Sequence, residues 1–340
     1  MRRNTDPNRP APKMTTEECE NMESSKRKLV SVVVPCFNEQ EALPYFFAGI
    51  RSVAKQLPAD LEIIFVDDGS KDNTLSLLRA AAKEDSRMRY ISLSRNFGKE
   101  SAMYAGLSAS KGDYVAIMDA DMQHPPRLLP QMYEILQTGE YDSVAARRST
   151  RTGEPIIRSF FSRLFYKFIS KISDADLEYG ACDFRLMKRK MVDAICSMGE
   201  TNRFTKGLFS WVGFRTKWLD YENEPRIAGS TKWSMRKLFK YSAHGIMAFS
   251  TTPLSISSFI GIGMCSLSLL AVAIIIIKTL LFGDPVDGWP SLACMIMFIG
   301  GLQLLCIGIL GQYLAKTYME VKNRPIYIVA ETSEEYICGE

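Results

Sequence analysis

From Leu29 onward the apolar residues fall into two alternating spacings. Leu29–Val34 is a β-branched run closed by Pro35, the pattern of a strand buried on both faces. Leu43, Phe46, Phe47, Ile50 and Val53 then recur at helical intervals within Glu41–Gln56. The exchange repeats with strand Leu61–Val66, a helix from Asp72 to Asp85 and strand Tyr90–Leu93. A small-residue helix Gly98–Ser110, strand Tyr114–Met118 and helix Arg127–Gln137 follow. Strands alternating with helices predict an α/β fold, a Rossmann-like parallel sheet covered on both faces. After Val144 the alternation lapses.

Ligands in such sheets bind outside the carboxyl ends of the strands. Those ends carry Pro35-Cys36-Phe37-Asn38-Glu39, Asp67-Asp68-Gly69-Ser70, Ser94-Arg95-Asn96-Phe97-Gly98-Lys99 and Asp119-Ala120-Asp121-Met122-Gln123. Each cluster has a simple structural explanation by itself. Asp68 or Ser70 can cap a helix, Asn38 can form a turn, and Asp119 to Pro126 can be a turn closed by two prolines. Four such clusters on one rim point instead to a binding site. No Gly-x-Gly-x-x-Gly follows the first strand, and no Gly-Lys-Ser/Thr loop exists. Carboxylates in place of glycines fit a nucleoside and a metal-bridged diphosphate, since Mg²⁺ takes one or two protein carboxylates plus phosphate oxygens.

Beyond Val144 the chain turns basic at Arg147, Arg148, Arg151, Arg158, Arg163, Lys167 and Lys171. Ile156–Ile172 places its apolar residues on one helical face and Arg163, Lys167 and Lys171 on another. Ser234–Met247 repeats that arrangement. Basic amphipathic helices suit a membrane surface, although a core-facing helix has the same period. Leu254–Ile277 and Ser291–Tyr313 are apolar runs long enough to span a bilayer core of roughly 30 Å. The segment Phe282–Pro290 between them has no Lys or Arg, while Lys316, Lys322 and Arg324 follow the second run. The positive-inside rule then predicts two spans with a short external loop and both termini in the cytoplasm.

Composition adds little to this division. With 340 residues and 46% hydrophobic content, the chain can bury one sizeable core and carry further segments. A net charge of +4 does not indicate nucleic-acid binding. Eight cysteines without a Cys-x-x-Cys pair suggest reduced thiols rather than a disulfide framework or zinc site. The first 28 residues, polar and Pro-containing, read as a disordered tail with no secretory h-region. The expected organisation is tail 1–28, catalytic domain 29–233, interfacial helix 234–252, span 253–281, external loop 282–290, span 291–314 and cytoplasmic tail 315–340. Pro325–Ala330 reads as a short strand of open role.

Val34–Glu39, Val66–Ser70, Ser94–Glu100 and Met118–Pro126 together resemble the motifs of family 2 glycosyltransferases of the GT-A fold. More closely, the chain resembles bacterial polyprenyl-phosphate glycosyltransferases of the dolichol-phosphate mannose synthase and bactoprenol glucosyltransferase type. The likeness runs from Leu29 to Arg324, with His124 standing where many relatives have Asp. The resemblance implies that Asp68, with Pro35, Asn38, Glu39, Asp67 and Lys99, holds the donor nucleotide. It implies that Asp119, Asp121 and Gln123 surround Mg²⁺ or Mn²⁺ on the donor diphosphate. Asp183, in Gly180–Met187, resembles an Asp placed opposite the donor, a candidate base beside a catalytic role for Asp121. Arg226–Trp233 looks like a loop closing over the diphosphate, with Arg226, Ser230 and Lys232 on phosphate oxygens. Arg203–Gly207 belongs with the groups available to the acceptor, and Arg147, Arg158 and Arg163 are candidates for its phosphate.

The expected activity is inverting transfer of a hexose, with UDP-glucose favoured over GDP-mannose, to polyprenyl (undecaprenyl) phosphate at the bacterial plasma membrane. The expected partners are the nucleotide sugar, the lipid, the bilayer and further copies of the chain, since Gly300, Gly301, Gly308 and Gly311 permit close helix packing. A GDP-mannose-dependent synthase, a processive polysaccharide synthase and a non-catalytic nucleotide-sugar-binding adaptor are the alternatives.

Overall fold

The computed structural model describes residues 27–148, 181–201, 203–221, 252–282 and 288–333. The tail, the two basic amphipathic stretches and most of the expected external loop lie outside these residues. Strands β1 (Leu29–Cys36), β2 (Asp60–Asp67), β3 (Met88–Leu93) and β4 (Tyr114–Ile117) alternate with helices α1 (Leu43–Ala54), α2 (Thr74–Glu84) and α3 (Lys99–Ala109). A 3₁₀ turn (Pro126–Leu128) leads into α4 (Leu129–Gln137). Then come β5 (Ser143–Arg148), β6 (Ala181–Lys188), α5 (Arg189–Ser197), α6 (Thr205–Trp211) and β7 (Thr216–Tyr221). Two long helices, α7 (Thr252–Phe282) and α8 (Trp289–Val321), precede β8 (Val329–Thr332).

All eight strands form one sheet, in the order β7-β5-β6-β4-β1-β2-β3-β8. The half built from β4, β1, β2 and β3 is parallel, as the alternation predicts. The other half departs from that expectation: β6 runs antiparallel to both β4 and β5, so the sheet is mixed. The pattern of β6 hides it, because Asp183 and Arg185 interrupt its apolar residues. Within the fold, Phe184 and Leu186 enter the main core while Arg185 is buried on the other face, its guanidinium 3.5 Å from the Phe209 ring centroid. A cation over an aromatic face recovers part of the hydration it gives up.

Burial of β1 on both faces explains its four valines. Val30, Val32 and Val34 pack with Phe46 and Ile50 of α1, Leu78 of α2 and Met132 of α4. Val33 faces the opposite layer, with Met103 and Leu107 of α3, Met191 of α5 and Phe209 of α6. Each such side chain contributes about 1.5–3 kcal/mol on full burial. Helix α3 lies so close to β1 that a Cβ on Gly106 would stand 2.2 Å from Val33 Cγ1.

The tail strand has a definite place. β8 is the outer edge beside β3, with Ser92 opposite Glu331. Glu331 accepts hydrogen bonds from the Arg79 guanidinium and the Tyr90 hydroxyl, so the segment after α8 folds back onto the sheet. Within α8, Phe298–Val321 spans 24 residues with mean hydropathy 1.6, long and apolar enough to cross a membrane. Leu254–Met264 in α7 is a shorter apolar stretch among the described residues.

Candidate active site

The polar clusters meet where the parallel strands end. Pro35 stands one residue before the end of β1, whose ladder with β4 stops at Val33 opposite Ile117. Val33 offers its carbonyl to Met118 N on that side, so the absent N–H of Pro35 costs no ladder bond. The chain then turns through Asn38 at φ 54°, a left-handed conformation Asn tolerates better than most residues. Asn38 N donates to Ser70 Oγ at 2.9 Å, and its side-chain oxygen accepts from Lys71 N at 2.8 Å. Glu39 N donates to Thr74 Oγ1 at 2.9 Å. The β1 and β2 ends are thereby locked together.

Asp67 and Asp68 have different tasks. Buried Asp67 accepts from Ser70 N and from Ser92 Oγ across the β2–β3 pair, both at 3.1 Å. Asp68 accepts from two backbone amides, Phe97 N at 2.7 Å and Gly98 N at 2.9 Å. Burial pushes its carboxyl above the ordinary range, although those two amides pull the other way. Asp68 therefore fixes the loop that delivers Lys99. Between the two strand ends Gly69 adopts φ +66°, and a Cβ there would sit 2.5 Å from the Arg95 carbonyl carbon. Only glycine fits such an approach without strain.

Antiparallel pairing of β4 and β6 creates the centre of the site. Ile117 pairs with Arg185, so Asp119, two residues after Ile117, and Asp183, two residues before Arg185, come to the same end of the pairing. The Lys99 ammonium lies between them, 2.6 Å from Asp119 Oδ1 and 2.6 Å from Asp183 Oδ2. Lys206 of α6 approaches the other Asp183 oxygen, Oδ1, at 3.8 Å. Burial alone would raise the Asp183 carboxyl, but Lys99 and Lys206 hold it far below the usual carboxylate range. Lys99 is correspondingly held above the usual lysine range, the Asp119 and Asp183 charges outweighing desolvation.

Asp121 and Gln123 follow on the β4 turn, with Gln123 N donating to Asp121 Oδ1 at 3.1 Å and Met122 between them at φ 58°. His124 is buried, stacked on Phe184 with ring centroids 5.8 Å apart. Its Nδ1 lies 3.9 Å from Asp119 Oδ2 and has no hydrogen-bond partner among the described residues. The rim is a region of negative potential. Burial, then the carboxylates of Glu39, Asp67, Asp119 and Asp72, push the Cys36 thiol well up. No group of three His, Cys, Asp or Glu converges among the described residues. Asp119, Asp121 and the Gln123 carboxamide are an oxygen donor set with two carboxylates, which fits a hard divalent cation completed by phosphate oxygens.

The structure thus brings Asp119, Asp183 and Lys99 into one cluster and makes Asn38, Asp67 and Asp68 the struts of its loops. Arg147 stands apart on β5, where Asp220 of β7 engages its Nε at 2.8 Å and Nη2 at 3.2 Å. Arg158, Arg163, Arg226, Ser230 and Lys232 lie outside the described residues. Sequence reasoning missed Glu100, whose half-buried carboxylate accepts from the backbone N and hydroxyl of Thr205 and so joins α3 to α6. An acid in the first turn of α3, directly after Lys99, was the available signal.

The model of the Glycosyl transferase family 2 matches residues 31–196. The SfII prophage-derived bactoprenol glucosyl transferase of Shigella flexneri is 43% identical over 303 residues, covering 89% of this chain and 98% of that protein. A putative glycosyltransferase of Bacillus subtilis is 40% identical over 308 residues, covering 91% of this chain and 93% of its own length. Among solved structures, glucosyl-3-phosphoglycerate synthase from Mycobacterium tuberculosis in complex with Mn²⁺, UDP-glucose and phosphoglyceric acid aligns with a TM-score of 0.43. It is 20% identical and covers 69% of this chain and 83% of that one.

Proposed function

The chain belongs to the family 2 glycosyl transferases, and from that premise we propose that it moves glucose from UDP-glucose to polyprenyl phosphate at a membrane surface. The observation that carries this reading is the pair of facing carboxylates, Asp119 and Asp183, with Lys99 bridging them at the strand-end rim. The bactoprenol glucosyl transferase of Shigella flexneri, matched over nearly its whole length, supports the choice of sugar and carrier.

In this account the β1, β2 and β3 ends shape the donor pocket. Asn38, Asp67 and Asp68 hold its loops, and Pro35 and Glu39 line its floor. Arg226, Ser230 and Lys232 are the residues this reading assigns to the diphosphate oxygens. Asp119, Asp121 and Gln123 would hold a divalent cation, Mg²⁺ or Mn²⁺, which when bound would supply the positive charge that a departing nucleoside diphosphate requires. The acceptor is a phosphomonoester, already anionic near neutral pH because its second pKa is about 6. It needs little deprotonation. Asp183, kept ionised between two lysines, therefore acts as an orienting carboxylate rather than as the base. In-line attack of the phosphate oxygen on the anomeric carbon breaks the bond to the diphosphate and inverts configuration. An α-linked donor then yields a β-linked lipid-phosphate sugar.

Helices α7 and α8, of 31 and 33 residues, form two spans in this reading. Their lengths exceed the ~20 residues that a bilayer core requires. The catalytic domain and both termini lie on the cytoplasmic side, where Lys316, Lys322 and Arg324 follow the apolar run Ser291–Tyr313. The reading is tested by incubating the purified full-length protein with UDP-glucose, GDP-mannose or UDP-N-acetyl sugars, Mg²⁺ and polyprenyl phosphate. Lipid-dependent release of UDP from UDP-glucose is expected. Binding of a donor with no turnover, lipid present, would favour the adaptor and sink the enzyme reading.

A further inference from the structure

The His124 imidazole takes no part in the mechanism above, yet it is buried beside the carboxylates. The residue is 3% exposed, and its Nδ1 has no hydrogen-bond partner among the described residues. Native folds carry few such buried polar atoms. Loose packing does not account for this one. The ring is stacked on Phe184, with centroids 5.8 Å apart and planes at 26°, and meets the Tyr221 ring edge-on at 6.2 Å. Pro125 follows directly, which favours extended backbone at His124. Ring plane and main chain are both constrained, so the direction of Nδ1 is set by the fold.

That direction leads to Asp119, whose Oδ2 lies 3.9 Å away, about 1 Å beyond an ordinary N–H···O distance. Lys99 already contacts this carboxylate, 2.6 Å from Oδ1 and 2.9 Å from Oδ2. An ionised carboxylate has about four acceptor positions, two on each oxygen. Lys99 uses one on each, so Oδ2 can accept from a second N–H while the lysine contact stays in place. Hydrogen bonds of active sites commonly tighten when substrate binds. Closing the remaining gap needs only a small turn of the carboxylate toward the ring.

We propose that His124 is a positioning residue whose Nδ1–H donates to Asp119 Oδ2 and fixes the orientation in which Asp119 would meet a divalent cation. The proposal rests on the metal reading of Asp119, Asp121 and Gln123 given above. Hydrogen-bond partners behind metal ligands orient them, and removing one typically costs about 10–100-fold in metal affinity. In this role His124 acts through Asp119 alone. Nucleotide binding that does not involve the cation should therefore not depend on it.

Full-length wild type, His124→Phe and His124→Asn in detergent are titrated with UDP by calorimetry, once in saturating Mn²⁺ and once in EDTA. Mn²⁺ should tighten UDP binding to the wild type. His124→Phe keeps a ring against Phe184 and loses the donor. Its UDP affinity in Mn²⁺ should fall about tenfold or more, and in EDTA it should stay within about twofold of wild type. Its thermal midpoint in EDTA should not fall, because an unpartnered nitrogen gives way to an apolar atom. His124→Asn, whose amide nitrogen can stand near the Nδ1 position, should recover most of the Mn²⁺-dependent tightening. His124→Ala removes the donor without adding volume and should lose the Mn²⁺ response as His124→Phe does. A His124→Phe protein with the wild-type response to Mn²⁺, an equal loss of UDP affinity in EDTA, or a His124→Asn protein as impaired as His124→Phe would overturn the assignment. Absence of any Mn²⁺ effect on UDP binding by the wild type would instead refute the metal reading, and the proposal with it.

Discussion

Asp68→Ala separates a carboxylate that touches the nucleoside from one that builds the loop beside it. In the structure both oxygens of this buried side chain are spent on Phe97 N and Gly98 N. Hydrogen bonds to a charged group contribute about 1.5–3 kcal/mol each, so the pair is worth ~3–6 kcal/mol. Removing the carboxylate also relieves its desolvation, which is what lifts its pKa, so the net loss should be about 2–4 kcal/mol. At roughly 2–4 °C per kcal/mol for a domain of this size, the thermal midpoint in detergent should fall by ~4–16 °C. Donor affinity should fall in parallel, since the freed loop carries Lys99. Asp68→Asn retains one acceptor oxygen and sets an NH₂ group against the second amide, so it should lower the midpoint as well. An Asp68→Asn protein with an unchanged midpoint and a lost donor affinity would refute this reasoning and make Asp68 a direct nucleoside ligand.

Asp121→Ala should reduce turnover by at least about a hundredfold, the scale seen when a group that stabilises transition-state charge is lost. Its thermal midpoint should not move, and retained Mg²⁺-dependent activity would remove Asp121 from the metal set. Glu331 supplies a pH dependence. Its carboxyl is held at about 2, below the ordinary value of 4.5, first by the Arg79 hydrogen bonds and then by the Tyr90 hydroxyl. Its contribution is present in full above the unfolded value and is lost as pH falls through 4.5 toward 2. Amide exchange at Val329–Thr332, corrected for intrinsic rates, should show protection that declines over that window. Glu331→Gln should show low protection at every pH, and a fully protected variant strand would contradict the role given to this carboxylate.

The parallel half of the fold is readable in the chain because each strand from β1 to β4 is a short apolar run between helical periods. The antiparallel half is not, for a reason located in β6. Its Asp183 and Arg185 look like solvent-facing charges until Lys99, Lys206 and Phe209 arrive from distant helices to neutralise or stack on them. The tail strand was visible as a run from Pro325 to Ala330, but its true extent, Val329–Thr332, is fixed by Arg79, Tyr90 and the β3 edge. Around the site, the sequence located the acidic rim and named Asp119, Asp121 and Asp183 through their motifs. It did not separate struts from ligands. Asp67, Asp68 and Asn38 share motifs with binding residues, and the loop hydrogen bonds each of them makes are visible only in the fold. Arg147 shows the converse: a charge in a basic run is neutralised by Asp220, which lies 73 residues further on.

The account's central claim is tested most directly by identifying the lipid product. Purified full-length protein is given UDP-glucose, Mg²⁺ and polyprenyl phosphate, and the lipid fraction is analysed by mass spectrometry and by NMR of the anomeric centre. The account predicts one glucose added per polyprenyl phosphate, β-linked, with one UDP released for each sugar transferred. A polymeric glycan, an α-linked product, or UDP release that leaves the lipid unmodified would contradict it.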